Sequence, residues 1–183
     1  MYRACALKAK KLGIDSKDEA GVNTFIDNVD IKVKYVDGAQ RTYLDGEDVS
    51  TKIRENEISM MASNISALKK VRIKLVELQQ EIASVTDCVL DGRDIGTHVL
   101  PNAKYKFYIT ASIEVRAERR YQELLARGQQ VDKAALTEEI KTRDYNDSHR
   151  EFAPLRQAED AILIDTSDMT IEEVISKVTS YIK

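Results

Sequence analysis

From position 87 onward, short apolar runs alternate with longer stretches of helical periodicity, and this alternation restricts the fold more than any other feature. Asp87-Cys-Val-Leu-Asp91, residues 104–110 after Pro101, and Ala161-Ile-Leu-Ile164 each have the length and composition of a buried strand. Between them, a helix is predicted over 112–127, ending at Gly128, and a second begins near Asp132. A capping box of Thr170 and Glu173 opens a last helix. Strands that alternate with helices imply a parallel sheet covered by helices on both faces, so the expected class is α/β.

The first half has a different pattern. Residues 2–12 are helix formers that stop at Gly13, and Ser16 with Glu19 makes a capping box for a second helix. Ile31-Lys-Val-Lys-Tyr-Val36 alternates with period two. Asp37-Gly38 is a hairpin turn signal, and 40–44 can form the return strand. Glu47 and Asp48, after Gly46, read as a polar turn closing that hairpin. Two helical patterns then run almost together from Glu55 to about Ser84. The hairpin region, about 27–52, reads as an insert on an α/β core, and a chain of 183 residues is expected to form one domain.

Composition excludes several classes. With 43% hydrophobic residues, 32% charged residues and a net charge of −3, neither a disordered chain nor a basic nucleic-acid arm fits. No apolar run reaches the roughly 20 residues of a membrane span, and MYRACALKAKK lacks the apolar stretch of a signal peptide, so a soluble, cytoplasmic protein is expected. Two cysteines without CxxC spacing and two histidines are too few for a zinc cluster; Cys5 and Cys88 read as small buried hydrophobes, and His98 and His149 as bystanders. The cations are unevenly divided: eight of the twelve arginines, but only four of the sixteen lysines, lie between 93 and 156. Arginine's planar fork matches phosphate oxygens two at a time, so this local excess points mildly to phosphate, although a surface rich in arginine is an equal reading.

Ligands of open α/β sheets bind beyond the carboxyl ends of the strands, which directs attention to Gly92-Arg-Asp-Ile-Gly-Thr97. This loop is either a ligand cradle or a tight turn with an internal Arg93–Asp94 ion pair. Arg143, Asp147 and Arg150, spaced i, i+4, i+7, share one helical face, as a phosphate grip or a solvated salt-bridge ladder would. Arg116, Arg119, Arg120 and Arg127 make a basic side that either meets a triphosphate or pairs with Glu114, Glu118 and Glu123.

Taken together, Met1-Tyr-Arg-Ala4, Leu44-Asp-Gly-Glu-Asp-Val-Ser50, Asp91-Gly-Arg-Asp-Ile-Gly-Thr97, Ile109-Thr-Ala-Ser112 with Arg116 and Arg119-Arg120, Arg143-Asp-Tyr-Asn-Asp-Ser148, Ala153-Pro-Leu155 and Ile164-Asp-Thr-Ser167 resemble the bacterial cytidylate kinases over essentially the whole chain. The resemblance implies a P-loop nucleoside monophosphate kinase fold and transfer of the γ-phosphoryl of ATP, with Mg2+, to CMP or dCMP. It also implies a monomer that binds no nucleic acid and no membrane. By the same resemblance Ser63, Arg72 and Asp94 surround the cytosine, Arg3, Arg93, Arg143 and Arg150 face phosphates, Asp147 holds the ribose, and Arg119 lies near ATP. A monophosphate-binding region is expected at about 14–85 and a lid at about 112–150.

The sequence departs from the family pattern in one respect. None of the seven glycines opens a GxxxxGK[ST] motif, so the first strand, P-loop, first helix and second strand of the family are expected to be missing, and the chain as given to be inactive with ATP. A CMP-binding module without catalysis and another small-molecule P-loop kinase are the alternatives; the Ser63, Arg72 and Asp94 set argues against the latter.

Overall fold

The computed structural model describes residues 1–183, the side chain of Asn56 excepted. It divides into two compact units, Met1–Asp87 and Cys88–Lys183.

In the first unit, α1 (Tyr2–Lys11) ends as its glycine demands. Gly13 sits at φ +68°, and its N–H and that of Ile14 close back on Lys10 and Ala9 at 3.1 and 2.9 Å. Lysines in the last turn suit the negative end of the helix, and each takes a carboxylate: Lys8–Asp45 at 2.5 Å, Lys10–Glu57 at 2.6 Å and Lys11–Glu47 at 2.5 Å. The next helix, α2 (Glu19–Asn23), is capped by Asp18, whose carboxylate accepts from the Gly21 N–H. The expected Ser16 cap is not formed. Asp18 lies directly before the first turn, whereas Ser16 is buried and accepts from Asn64 Nδ2 at 3.0 Å.

β1 (Ile31–Val36) and β2 (Ala39–Leu44) form the hairpin, in register from Ile31↔Leu44 to Val36↔Ala39, with Asp37 and Gly38 both at positive φ. Glu47 and Asp48 are not a turn. They form a third strand, β3 (Glu47–Asp48), because Asp45-Gly46 repeats the Asp37-Gly38 geometry and turns the chain back on Tyr43 and Leu44. Two helices, α3 (Asn56–Ile65) and α4 (Lys69–Val85), complete the unit. Its core joins α1 to Ile31, Leu44, Ile58, Ile65 and Leu75, so the hairpin is packed into the unit at its base.

In the second unit, β4 (Phe107–Thr110) pairs in parallel with β5 (Ile162–Asp165), from Phe107↔Ile162 to Thr110↔Asp165. Parallel neighbours require a crossover, here supplied by α5 (Ile113–Ala126) and α6 (Lys133–His149), which start at Ser112 and Asp132 caps. The Thr170–Glu173 capping box forms as expected and opens α7 (Ile171–Ser180).

The α/β class therefore holds, with two corrections. Residues 88–91 are not a strand: an apolar run becomes one only when a neighbour meets its N–H and C=O groups, none of the described residues pairs with it, and Val89 is 96% exposed. The parallel sheet consequently has two strands, and its Ile109 and Leu163 are each 55% exposed instead of being covered on both faces.

Candidate functional site

In the first unit, Arg3 extends from α1 to α3, its guanidinium donating to the Ile53 carbonyl at 3.0 Å and to Ser59 Oγ at 2.9 Å. Ser63 follows Ser59 by four residues on the same face of α3 and is exposed. Arg72, on α4, is only 1% exposed; it donates to the Ser66 carbonyl at 3.1 Å, and its guanidinium carbon lies 5.7 Å from the centre of the Tyr2 ring. A buried cation at this depth is held by hydrogen-bond acceptors and ring faces that leave it few ways to move.

The second unit gathers five of the predicted residues, three arginines around the Asp147 carboxylate and Asp94 beside one of them. Asp147 Oδ2 accepts from Arg93 Nε at 3.2 Å and lies 3.9 Å from Arg143 Nε, while Asp147 Oδ1 accepts from Arg150 Nη1 at 3.4 Å. Arg150 Nη2 is 4.0 Å from Asp94 Oδ1, and Arg150 Nε donates to the Ala153 carbonyl at 2.7 Å. The side chains of Arg150 and Asp147 are 10% and 13% exposed, against 45% for Arg93 and 56% for Arg143. The inner part of this group is thus no solvated ladder. In these contacts three cations face two carboxylates, an arrangement that suits an anion.

The loop that carries Arg93 and Asp94 is shaped locally. Ile95–Val99 is a widened helical turn in which the Asp94 carbonyl accepts from the N–H groups of Thr97, His98 and Val99 at 3.3, 2.9 and 3.2 Å. A Cβ at Gly92 would lie 2.9 Å from Ile95 Cγ1, so a larger residue there would require the Ile95 side chain to shift. Neighbouring Arg93 and Asp94 do not pair with each other; Arg93 reaches Asp147 across 54 positions.

The arginines of α5 divide. Arg120 and Arg127 both pair with Glu123, at 2.7 and 2.6 Å, which is the solvated alternative. Arg119 donates to the carbonyls of Thr166 and Met169 at 2.6 and 3.2 Å, fixing α5 to the segment after β5. Arg116 makes a two-pronged pair with Asp144 of α6, Nη1–Oδ1 3.0 Å and Nη2–Oδ2 2.6 Å. That hydrogen bond, before all else, holds the guanidinium above its ordinary pKa. Asp144 was not anticipated, because a partner on another helix leaves no mark in the spacing of either one.

The cytidylate kinase family model matches residues 1–183. The chain is similar to the cytidylate kinase of Caldicellulosiruptor bescii, 52% identical over 97% of this chain and 79% of that protein. It is similar to those of Lactobacillus johnsonii, at 45% over 100% and 80% respectively, and of Streptococcus pneumoniae, at 44% over 97% and 80%. No helix among the described residues is long and apolar enough to cross a membrane. On the family match and on this identity over nearly all of its length, the chain belongs to the cytidylate kinases, a family of nucleotide kinases that phosphorylate CMP.

Proposed function

We propose that the chain serves transfer of the γ-phosphoryl of ATP to CMP or dCMP, giving CDP or dCDP, and that these 183 residues supply the acceptor half of that reaction. Phosphoryl transfer needs little covalent help from the protein. It needs two nucleotides held in line and cations placed where charge spreads over the transferred group. The observation that carries the reading is the nearly buried Asp147–Arg150 pair flanked by the more exposed Arg93 and Arg143. A fixed inner pair orients two outer guanidinium groups without consuming all their donors, which suits them to meet phosphate oxygens.

In this reading Arg93, Arg143 and Arg150 act on the phosphates as catalytic residues, and Asp147 accepts from a ribose hydroxyl. Ser63, Arg72 and Asp94 discriminate the cytosine, while Arg3 takes a phosphate oxygen. A base with mismatched donors would leave polar groups buried without partners in the complex, which is costly enough to exclude it. Arg119 contributes near ATP, in a lid of about residues 112–150, and residues of about 14–85 form the monophosphate-binding region. Mg2+ enters bound to the phosphates of ATP, and none of these residues is assigned to it.

The 183 residues hold no GxxxxGK[ST] loop, so the N–H cradle for the β- and γ-phosphates is not among them. Alone they are expected to bind CMP and to form CDP at a negligible rate. Calorimetric titration with CMP, beside a coupled assay of CDP formation with ATP and Mg2+, tests both parts. A folded chain that ignores CMP overturns the acceptor reading, and brisk CDP formation overturns the account of ATP.

A further inference from the structure

The helix α6 presents Asp147 and Arg143 but has little of its own to fix how it lies. Its residues that are not exposed, Leu136, Thr137, Ile140, Asp144 and Asp147, fall along one face, and only Leu136 is buried. Apolar contact is thus confined to the first two turns. Further along, where the phosphate-facing residues sit, Asp144 takes the place that an apolar residue would have had.

We propose that Arg116 and Asp144 are positioning residues for the monophosphate, setting the rotation of α6 and through it the place of Asp147. The inference rests on the reading of those residues given above. Three observations carry it. The pair is two-pronged, with both N–O distances at 3.0 Å or below, and a fork against a carboxylate fixes orientation as well as separation. Arg116 Nε also donates to the Ala111 carbonyl at 3.1 Å, so α6 is tied through one guanidinium to the chain just beyond β4. Asp144 precedes Asp147 by three residues on the same face, so any turn of the helix about its axis passes directly to the carboxylate that gathers Arg93 and Arg150. Arg116, an arginine that by composition belongs with phosphate-binding ones, therefore acts through another residue.

The test is titration of CMP, and of 2′,3′-dideoxycytidine monophosphate, into the unaltered chain and into Arg116→Ala, Asp144→Ala, the double variant, and the gentler Arg116→Lys and Asp144→Asn. The gentler pair keeps the experiment decisive if an alanine variant does not fold. Each single change is expected to weaken CMP binding about tenfold, the loss equivalent to one charge-assisted hydrogen bond. The double variant is expected to be no worse than either, because the two act through each other. Arg116→Lys keeps the charge but loses the fork, so it is not expected to restore affinity. The dideoxy analogue, which offers Asp147 no hydroxyl, should lose far less. A purely structural pair would lower the thermal midpoint and weaken both ligands alike, which would overturn the inference. So would unchanged CMP affinity in the variants. Failure of the unaltered chain to bind CMP overturns the functional reading and this inference with it; binding by that chain and by its variants alike overturns the inference alone.

Discussion

Replacing Asp147 with alanine removes the one carboxylate shared by three arginines, and the consequence can be worked from its contacts. At the 3.2 Å of the Arg93 contact and an effective dielectric of about 20, one such pair has a gross attraction of about 5 kcal/mol. Arg93 and Arg143 are 45% and 56% exposed, so each retains only about 0.5 kcal/mol of net stabilisation. Arg150 is 10% exposed, and its hydrogen bond to a charged acceptor is worth about 1.5–3 kcal/mol. Asp147→Ala should therefore destabilise the fold by about 2.5–4 kcal/mol in denaturant unfolding. If Asp147 also accepts from the ribose, CMP affinity should fall by about 10- to 100-fold. Freed arginines work against that loss by binding phosphate better, so the dideoxy analogue should bind the variant at least as well as it binds the unaltered chain. The control is Asp48→Ala. Asp48 lies on β3 and accepts from Ser50 N and Oγ at 2.9 and 2.5 Å, away from any of the proposed phosphate-binding arginines in sequence and in contact. Equal effects of the two substitutions on CMP affinity, by calorimetry, would refute the argument and return Asp147 to a structural role.

Two further expectations concern the first unit and its boundary. Burial pushes the Cys5 thiol up to about 12, whereas Cys88 is exposed, so a maleimide at neutral pH should label Cys88 alone on the folded chain; labelling of Cys5 at a similar rate would contradict the packing of α1. Hydrogen bonds from Lys11 and Lys52 hold the Glu47 carboxyl at about 2, below its ordinary 4.5. A lowered carboxyl pKa stabilises the fold above the ordinary value, and the contribution is lost as pH falls from there through about 2. The difference in thermal midpoint between the unaltered chain and Glu47→Gln should narrow over that interval, and a difference that stays constant would show that the lysines do not matter to Glu47.

What was legible in the sequence was what is decided within a few residues. Asp37-Gly38 fixed the hairpin, Gly13 the end of α1, and Ser112, Asp132 and Thr170 the starts of α5, α6 and α7, because each acts on backbone groups close by. Asp45-Gly46 carried the same signal as Asp37-Gly38, and β3 was missed because only two residues remained to pair beyond it. Residues 88–91 were misread for the opposite reason: their pattern suits a strand, but strand formation depends on a neighbour elsewhere in the chain. The candidate site shows the same division. The shared face of Arg143 and Asp147 follows from helical spacing, with Arg150 at the C-cap just beyond the helix, whereas Arg93–Asp147 and Arg116–Asp144, 54 and 28 positions apart, follow from how elements pack. Adjacency suggests an Arg93–Asp94 pair, and Arg93 pairs with Asp147 instead.

The measurement that bears most directly on the central claim is a paired calorimetric titration of CMP and AMP into the unaltered chain, with circular dichroism confirming that it is folded. The account predicts saturable, one-site binding of CMP that is weakened by salt, and much weaker binding of AMP, since both carry the same phosphate and ribose and differ in the base that Ser63, Arg72 and Asp94 are proposed to discriminate. Equal binding of the two nucleotides, or no binding of CMP to the folded chain, would contradict it.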